Sequence, residues 1–169
     1  MSAKVDFSRF TLMDALDLAS LIEGEAFQRY VFFAEQLGHR ESGDAASVFR
    51  SMAANEKKHG VQLAERRRAL FGDTPAKVTI DDIFDVEAPD VGSPRWNMSA
   101  LKALEVALAS EQKAFAFYEE ALPSVKQPDV KALFQELRDE EAEHIRMVEA
   151  IIAKLPPTAA VDLKDVDAD

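Results

Sequence analysis

Phe49, Glu56 and His59 are spaced at i, i+7 and i+10, and Phe134, Glu141 and His144 repeat that spacing. On a helix the three side chains share one face, a little under three turns from end to end. The rest of the face is apolar: Met52 and Leu63 extend it in the first copy, Leu137 and Val148 in the second. A chain that twice writes a carboxylate and an imidazole into an apolar stripe must supply partners for their charge and lone pairs. A metal ion is one such partner.

A second motif is also duplicated. Glu23, Ala26, Phe27 and Tyr30 read E-x2-A-F-x2-Y, as do Glu111, Ala114, Phe115 and Tyr118, and these are the two tyrosines of the chain. The Glu-x2-Ala-Phe-x2-Tyr motif recurs after 88 residues and the Phe-x6-Glu-x2-His motif after 85, which fits a shorter turn between the last two helices than between the first two. Two helix hairpins related by a pseudo-twofold axis make a four-helix bundle. The axis would bring Glu23, Glu56, His59, Glu111, Glu141 and His144 to one level.

The periodicity predicts four helices. The first runs from about Leu12 to Leu37, with Leu16, Ala19, Glu23, Ala26 or Phe27, Tyr30, Phe33 and Leu37 inward. Gly38 and Gly43 bracket a turn, and Asp44 caps a second helix that carries Phe49, Met52, Glu56, His59, Leu63 and Leu70 inward and stops at Gly72. Asn97 or Ser99 caps a third, with Leu101, Leu104, Leu108, Glu111, Phe115, Tyr118 and Leu122 inward, ending near Pro123. Pro128 opens a fourth, with Leu133 or Phe134, Leu137, Glu141, His144, Val148, Ile151 and Leu155 inward, before Pro156 and Pro157 stop it. Phe27, Phe32, Phe33, Phe115 and Phe117 read as core packing. Glu25, Glu105, Glu140 and Glu143 fall off the stripes and read as solvated, as does the run Arg66, Arg67 and Arg68, placed where positive charge suits the helix dipole. His39 lies at a helix end and reads as exposed.

Residues 73–97 hold Pro75, Pro89, Gly92 and Pro94, and make a connection far longer than neighbouring helices need. Such a length is expected if the chain must travel back along the bundle, with Ile80, Ile83, Phe84 and Val86 pinning it. The expected organisation is one all-α domain over residues 1–157 and a short acidic tail over 158–169.

Composition narrows the function classes. The formal net charge is −11 over 169 residues, which argues against nucleic acid and anionic membranes as partners. There is no cysteine, so disulfides, thiolate metal sites and iron–sulfur clusters are excluded. The first ten residues carry no apolar run, and no stretch approaches the roughly 20 apolar residues of a membrane span. A cytoplasmic location is the default expectation.

Four carboxylates in an apolar core carry four negative charges, which two divalent cations would neutralise. Oxygen donors with one imidazole per metal suit Fe(II), or Mn(II), better than Zn(II) or Cu(I). Glu56 and Glu141, beside the histidines, are the expected bridging pair, with Glu23 and Glu111 terminal. Tyr30 and Tyr118 each stand seven residues after a candidate ligand, where they can fill the core or hydrogen-bond a carboxylate on another helix.

With these motifs the chain resembles the ferritin-like superfamily and, within it, the rubrerythrin family. The superfamily pattern is one Glu from each of two helices and Glu-x2-His from each of two others. The resemblance covers about residues 12–155 and assigns the metal to the same six residues. It implies a ferritin-like four-helix bundle with a long crossover between helices two and three. It also implies a non-haem di-iron centre, two iron ions, reacting with hydrogen peroxide or dioxygen, and a homo-oligomer, commonly a dimer. The chain departs from the family pattern in two places. It has no cysteine-rich rubredoxin domain, so electrons must come from a separate donor. It also has Ala114 where many rubrerythrins have an extra Glu, three residues after Glu111. Three functions are therefore expected in order: a peroxide- or dioxygen-reducing oxidoreductase, a ferroxidase or iron-handling protein of ferritin type, and a non-catalytic helical module stabilised by metal.

Overall fold

A computed structural model describes residues 5–37, 45–79, 81 and 98–157. Four helices, α1 (Leu12–Leu37), α2 (Ala45–Phe71), α3 (Ala100–Ala121) and α4 (Pro128–Ala153), pack as an all-α bundle. Short 3-10 turns precede α1 at Phe7–Arg9 and follow α3 at Leu122–Ser124. Among the described residues no helix is long and apolar enough to cross a membrane.

Local chemistry sets the helix ends. Thr11 and Asp14 close α1 reciprocally: Asp14 N donates to Thr11 Oγ1 at 3.2 Å, and Thr11 N donates to Asp14 Oδ2 at 3.1 Å. Gly72 ends α2 at φ +59°, a left-handed conformation that costs glycine little, and its N–H donates to Arg68 O at 2.9 Å. Ser99 Oγ accepts from Lys102 N at 3.1 Å at the start of α3. Pro128 opens α4, where its missing N–H leaves no bond unmade.

Packing is strongest between α1 and α2 and between α3 and α4, with α2 against α3 and α1 against α4 closing the bundle. The buried apolar residues form two clusters. One holds Leu16, Leu18 and Ile22 of α1, Leu63 of α2, Tyr118 of α3, and Leu133, Phe134 and Leu137 of α4. The other holds Tyr30 and Phe33 of α1, Phe49 and Met52 of α2, Leu104 and Val106 of α3, and Val148 of α4. So α1 and α4 run from the first cluster to the second, while α2 and α3 run the opposite way. A chain that leaves α2 at the first cluster must re-enter α3 at the second, and the long connection does this. Its described start lies on the surface except Val78, which packs against the first cluster.

Three apolar expectations are corrected. Leu70 is 55% exposed, because Phe71 and Val78 cover that end of the core instead. Ile151 is 46% exposed and Ile152 packs inward: a helix advances about 100° per residue, so the position four after Val148 stays on its face. Phe32 is 50% exposed, turned out beside inward Phe33, while Phe27, Phe115 and Phe117 are half-buried.

Arg67 corrects the expectation of a solvated arginine run. Its side chain is only 13% exposed, and its Nε and Nη2 donate to Asp17 of α1 at 2.7 and 3.2 Å. The same guanidinium donates to Gly72 O and Thr74 O, fastening the start of the crossover to α1. A planar fork of five donors suits that task. Gly38, His39, Gly43, Asp44, Ile80, Ile83, Phe84, Val86, Asn97 and the 158–169 tail lie outside the described residues, as does the side chain of Leu37.

Candidate metal centre

On every helix the switch from one apolar cluster to the other is marked by a glutamate. Glu23 lies between Ile22 and Ala26, Glu56 between Ala53 and Leu63, Glu111 between Ala107 and Tyr118, and Glu141 between Leu137 and Val148. These four carboxylates and His144 are buried, and His59 is nearly so. They form one polar layer through the middle of the bundle.

Within the layer, His144 Nδ1 is 2.9 Å from Glu111 Oε2, 3.6 Å from Glu141 Oε2 and 3.8 Å from Glu56 Oε1. His59 Nδ1 is 3.9 Å from Glu23 Oε2. The two imidazoles stack with centroids 4.9 Å apart and planes 6° from parallel. Two groups can each offer ligand atoms lying within 4.8 Å of one another: Glu23, Glu56 and His59, and Glu56, Glu111 and His144. Glu56 is common to both. Tyr30 Oη donates to Glu111 Oε1 at 2.9 Å, across 81 residues of sequence, and ties α1 to α3 at the layer.

The layer is electrostatically incomplete as protein alone. Both oxygens of Glu23, Oε2 of Glu141 and Nδ1 of His59 are buried with no hydrogen-bond partner among the described residues. Burial pushes the Glu23 carboxyl up, offset by the adjoining Glu56 carboxyl and His59; as carboxylates Glu23 and Glu56 are both acceptors, and a bond between them forms only when one holds a proton. Burial pushes Glu141 well up, and the charges of Glu111 and Glu23 add to it against the pull of His144. For His144, burial favours the neutral ring, but the hydrogen bond to Glu111 and the nearby Glu141 carboxylate outweigh it and push the imidazole up to about 10. His59 goes the other way: burial lowers it more than Glu23 raises it. Without cations the site therefore holds protons at neutral pH to limit its own charge. Oxygen-rich donors, two imidazoles and orphaned lone pairs at one level fit a pair of divalent cations.

Residues 16–157 match the Ferritin-like domain family. The chain belongs to that family. An uncharacterized conserved protein from Magnetospirillum magnetotacticum MS-1, solved by crystallography at 2.00 Å, is 32% identical to this ferritin-like chain. The two superpose with a TM-score of 0.70 over 87% of this chain and 97% of the other. No curated protein matches it.

The ferritin-like bundle brings all six residues singled out by the repeats into one layer. Tyr30 bonds a carboxylate; Tyr118 is fully buried, with its ring edge-on to Phe117 and Phe134 at 5.3 and 5.4 Å. Glu140 is the residue the stripes misplace. Its side chain is 37% exposed, and Oε2 lies 4.0 Å from His59 Nδ1. Burial, then the charge of Glu136, push its carboxyl up. It neighbours Glu141 in sequence, so one helix face does not reveal it; the oppositely directed α2 does, because its His59 reaches to the edge of that face.

Proposed function

We propose that this ferritin-like protein is a non-haem di-iron oxidoreductase that reduces hydrogen peroxide or dioxygen, as rubrerythrins do. The observation that supports it is the buried layer of four carboxylates and two imidazoles, in which Glu23, Glu141 and His59 keep lone pairs with no hydrogen-bond partner among the described residues. Glu23, Glu56 and His59 would hold one cation and Glu56, Glu111, Glu141 and His144 the other, with Glu56 shared and manganese the alternative occupant of either position. When bound, two Fe(II) ions supply one electron each, so that hydrogen peroxide and two protons give two waters, or dioxygen and two protons give hydrogen peroxide. The chain's part is positional. Tyr30 fixes the plane of the Glu111 carboxylate, the stacked imidazoles approach from α2 and α4, and the apolar clusters on both sides keep bulk water from the layer. The two electrons return from a separate donor, and a homodimer is the expected assembly.

Stopped-flow mixing of anaerobic Fe(II)-loaded protein with hydrogen peroxide or with dioxygen tests this. Oxidation of two irons per chain within seconds is expected with at least one oxidant, and inertness towards both overturns it. One observation favours a ferroxidase of ferritin type as the second reading. The position three residues after Glu111 is Ala114, fully buried, so α3 offers no further carboxylate there. Repeated Fe(II) addition separates the two: a ferroxidase turns over many irons per chain, while a peroxidase keeps two.

A further inference from the structure

The two halves of the metal layer differ in their access to solvent. The His144 side chain is 6% exposed and is enclosed by Glu111, Glu141 and Glu56. The His59 side chain is 15% exposed and lines a cleft of about 60 Å³ between α2 and α4, together with Gln62, Arg66, Glu136 and Glu140. That volume has room for several water molecules; Leu63 and Leu137 line it beside the polar groups that would bind them. One histidine atom joins the cleft to the buried layer. His59 Nδ1 lies 3.9 Å from Glu23 Oε2 on the inner side and 4.0 Å from Glu140 Oε2 on the cleft side.

The charge along the cleft is graded. At its mouth Arg66 Nη1 pairs with Glu136 Oε2 at 3.1 Å, and both are substantially exposed, so their charges largely cancel. Further in, Glu140 Oε2 faces His59 Nδ1, and the charges that act on it are those of Glu136, His144 and Lys58. Beyond it Glu23 is 1% exposed, and neither of its oxygens has a hydrogen-bond partner among the described residues. The repeat does not demand this arrangement. Asn55 occupies the place on α2 that Glu140 occupies on α4, immediately before the Glu of each E-x2-H motif. The sequence therefore puts a carboxylate at only one of two equivalent positions, and that one faces the opening.

We propose that this cleft is the route by which a divalent cation reaches the Glu23–His59 half of the centre, and that Glu140 is the carboxylate that takes the cation from solvent and passes it to His59 and Glu23. The proposal rests on the two-cation reading of the layer. With 37% of its side chain exposed on the cleft side of His59, Glu140 acts on the rate of loading and not on the number of ions held. A partly desolvated carboxylate in a narrow opening raises the local cation concentration, and such focusing changes association rates by roughly tenfold or more.

Stopped-flow loading of the full chain with Co(II) alone, followed by visible absorption, tests this. Glu140→Gln keeps the shape and removes the charge; it is expected to slow one loading phase about fivefold or more while the endpoint stays at two Co(II) per chain. His59→Ala identifies that phase by abolishing it. Arg66→Gln, which frees the Glu136 charge at the mouth, is expected to quicken the same phase, a gain that a folding defect would not produce. Glu105→Gln makes the same charge change on α3, away from the cleft, and should leave both phases unchanged. If wild-type protein binds no Co(II), the two-cation reading itself fails. If it binds two and Glu140→Gln loads at the wild-type rate, the route alone fails. A Glu140→Gln endpoint of one Co(II) makes Glu140 a ligand and also overturns the proposal.

Discussion

His59 and His144 hold the same place in the repeat and different places in the protein. His144 is enclosed by three carboxylates and drawn up to about 10, while His59 is at the edge of a cleft and drawn down by burial. The difference teaches that duplicating a motif duplicates the donors but not their surroundings. Neighbours from other helices decide which half of a nominally symmetric site is enclosed and which borders a cleft.

Substitution of the histidines should break the symmetry most visibly. In metal-free protein His144→Ala removes the partner of buried Glu111 and Glu141 and should cost about 3–5 kcal/mol in urea unfolding, whereas His59→Ala should cost under about 1 kcal/mol. Equal losses would mean that the halves are equivalent. Glu141→Gln has the opposite sign. It removes one of the three acidic groups crowded round His144, with its orphaned oxygen, and should raise the urea midpoint of metal-free protein at pH 8, while isothermal titration finds the His144-side metal weakened or lost.

The protons held in the layer make metal binding pH-dependent, and the sign follows from the shifts. His144, Glu141 and Glu23 are all raised, so each carries more proton in the folded metal-free state than when unfolded. The His144 contribution to metal-free stability is whole below its unfolded value of 6.5 and disappears as pH rises through about 10. For Glu141 and Glu23, stability also falls as pH rises above the unfolded carboxyl range. A cation must displace these protons, so affinity rises with pH, by about tenfold (~1.4 kcal/mol) per pH unit for each proton released. The melting-temperature gain on loading should be larger at pH 8 than at pH 6, and calorimetry in buffers of different ionisation enthalpy should count proton release; uptake would reverse the assignment. Smallest is Tyr30→Phe, which removes the hydroxyl bonded to Glu111. It should cost about 1 kcal/mol of stability and roughly tenfold in affinity on the His144 side, leaving the His59 side unchanged.

Much of this architecture could be read from single-helix patterns. Helix limits followed from Gly72, Ser99 and Pro128, and the six layer residues from apolar stripes of period 3.6 with a glutamate at each centre. Those signals are local, so they survive without knowledge of neighbours. The failures share a cause as well. Leu70 extends a stripe past the point where partner helices still cover it, and Ile151 steps off the face that Val148 and Ile152 share. Arg67 sits in a charged run that reads as solvated, but its burial depends on Asp17 fifty residues earlier.

Residue order alone dictated four amphipathic helices, their duplication and the carboxylate–imidazole inventory, because helical periodicity fixes which side chains share a face. Tertiary contact decided that Glu56 joins both ligand groups, that Tyr30 bonds Glu111 from another helix, and that Glu140 opposes His59 at a cleft. Each of these depends on the distance between atoms on different helices, and no spacing within one helix encodes that distance.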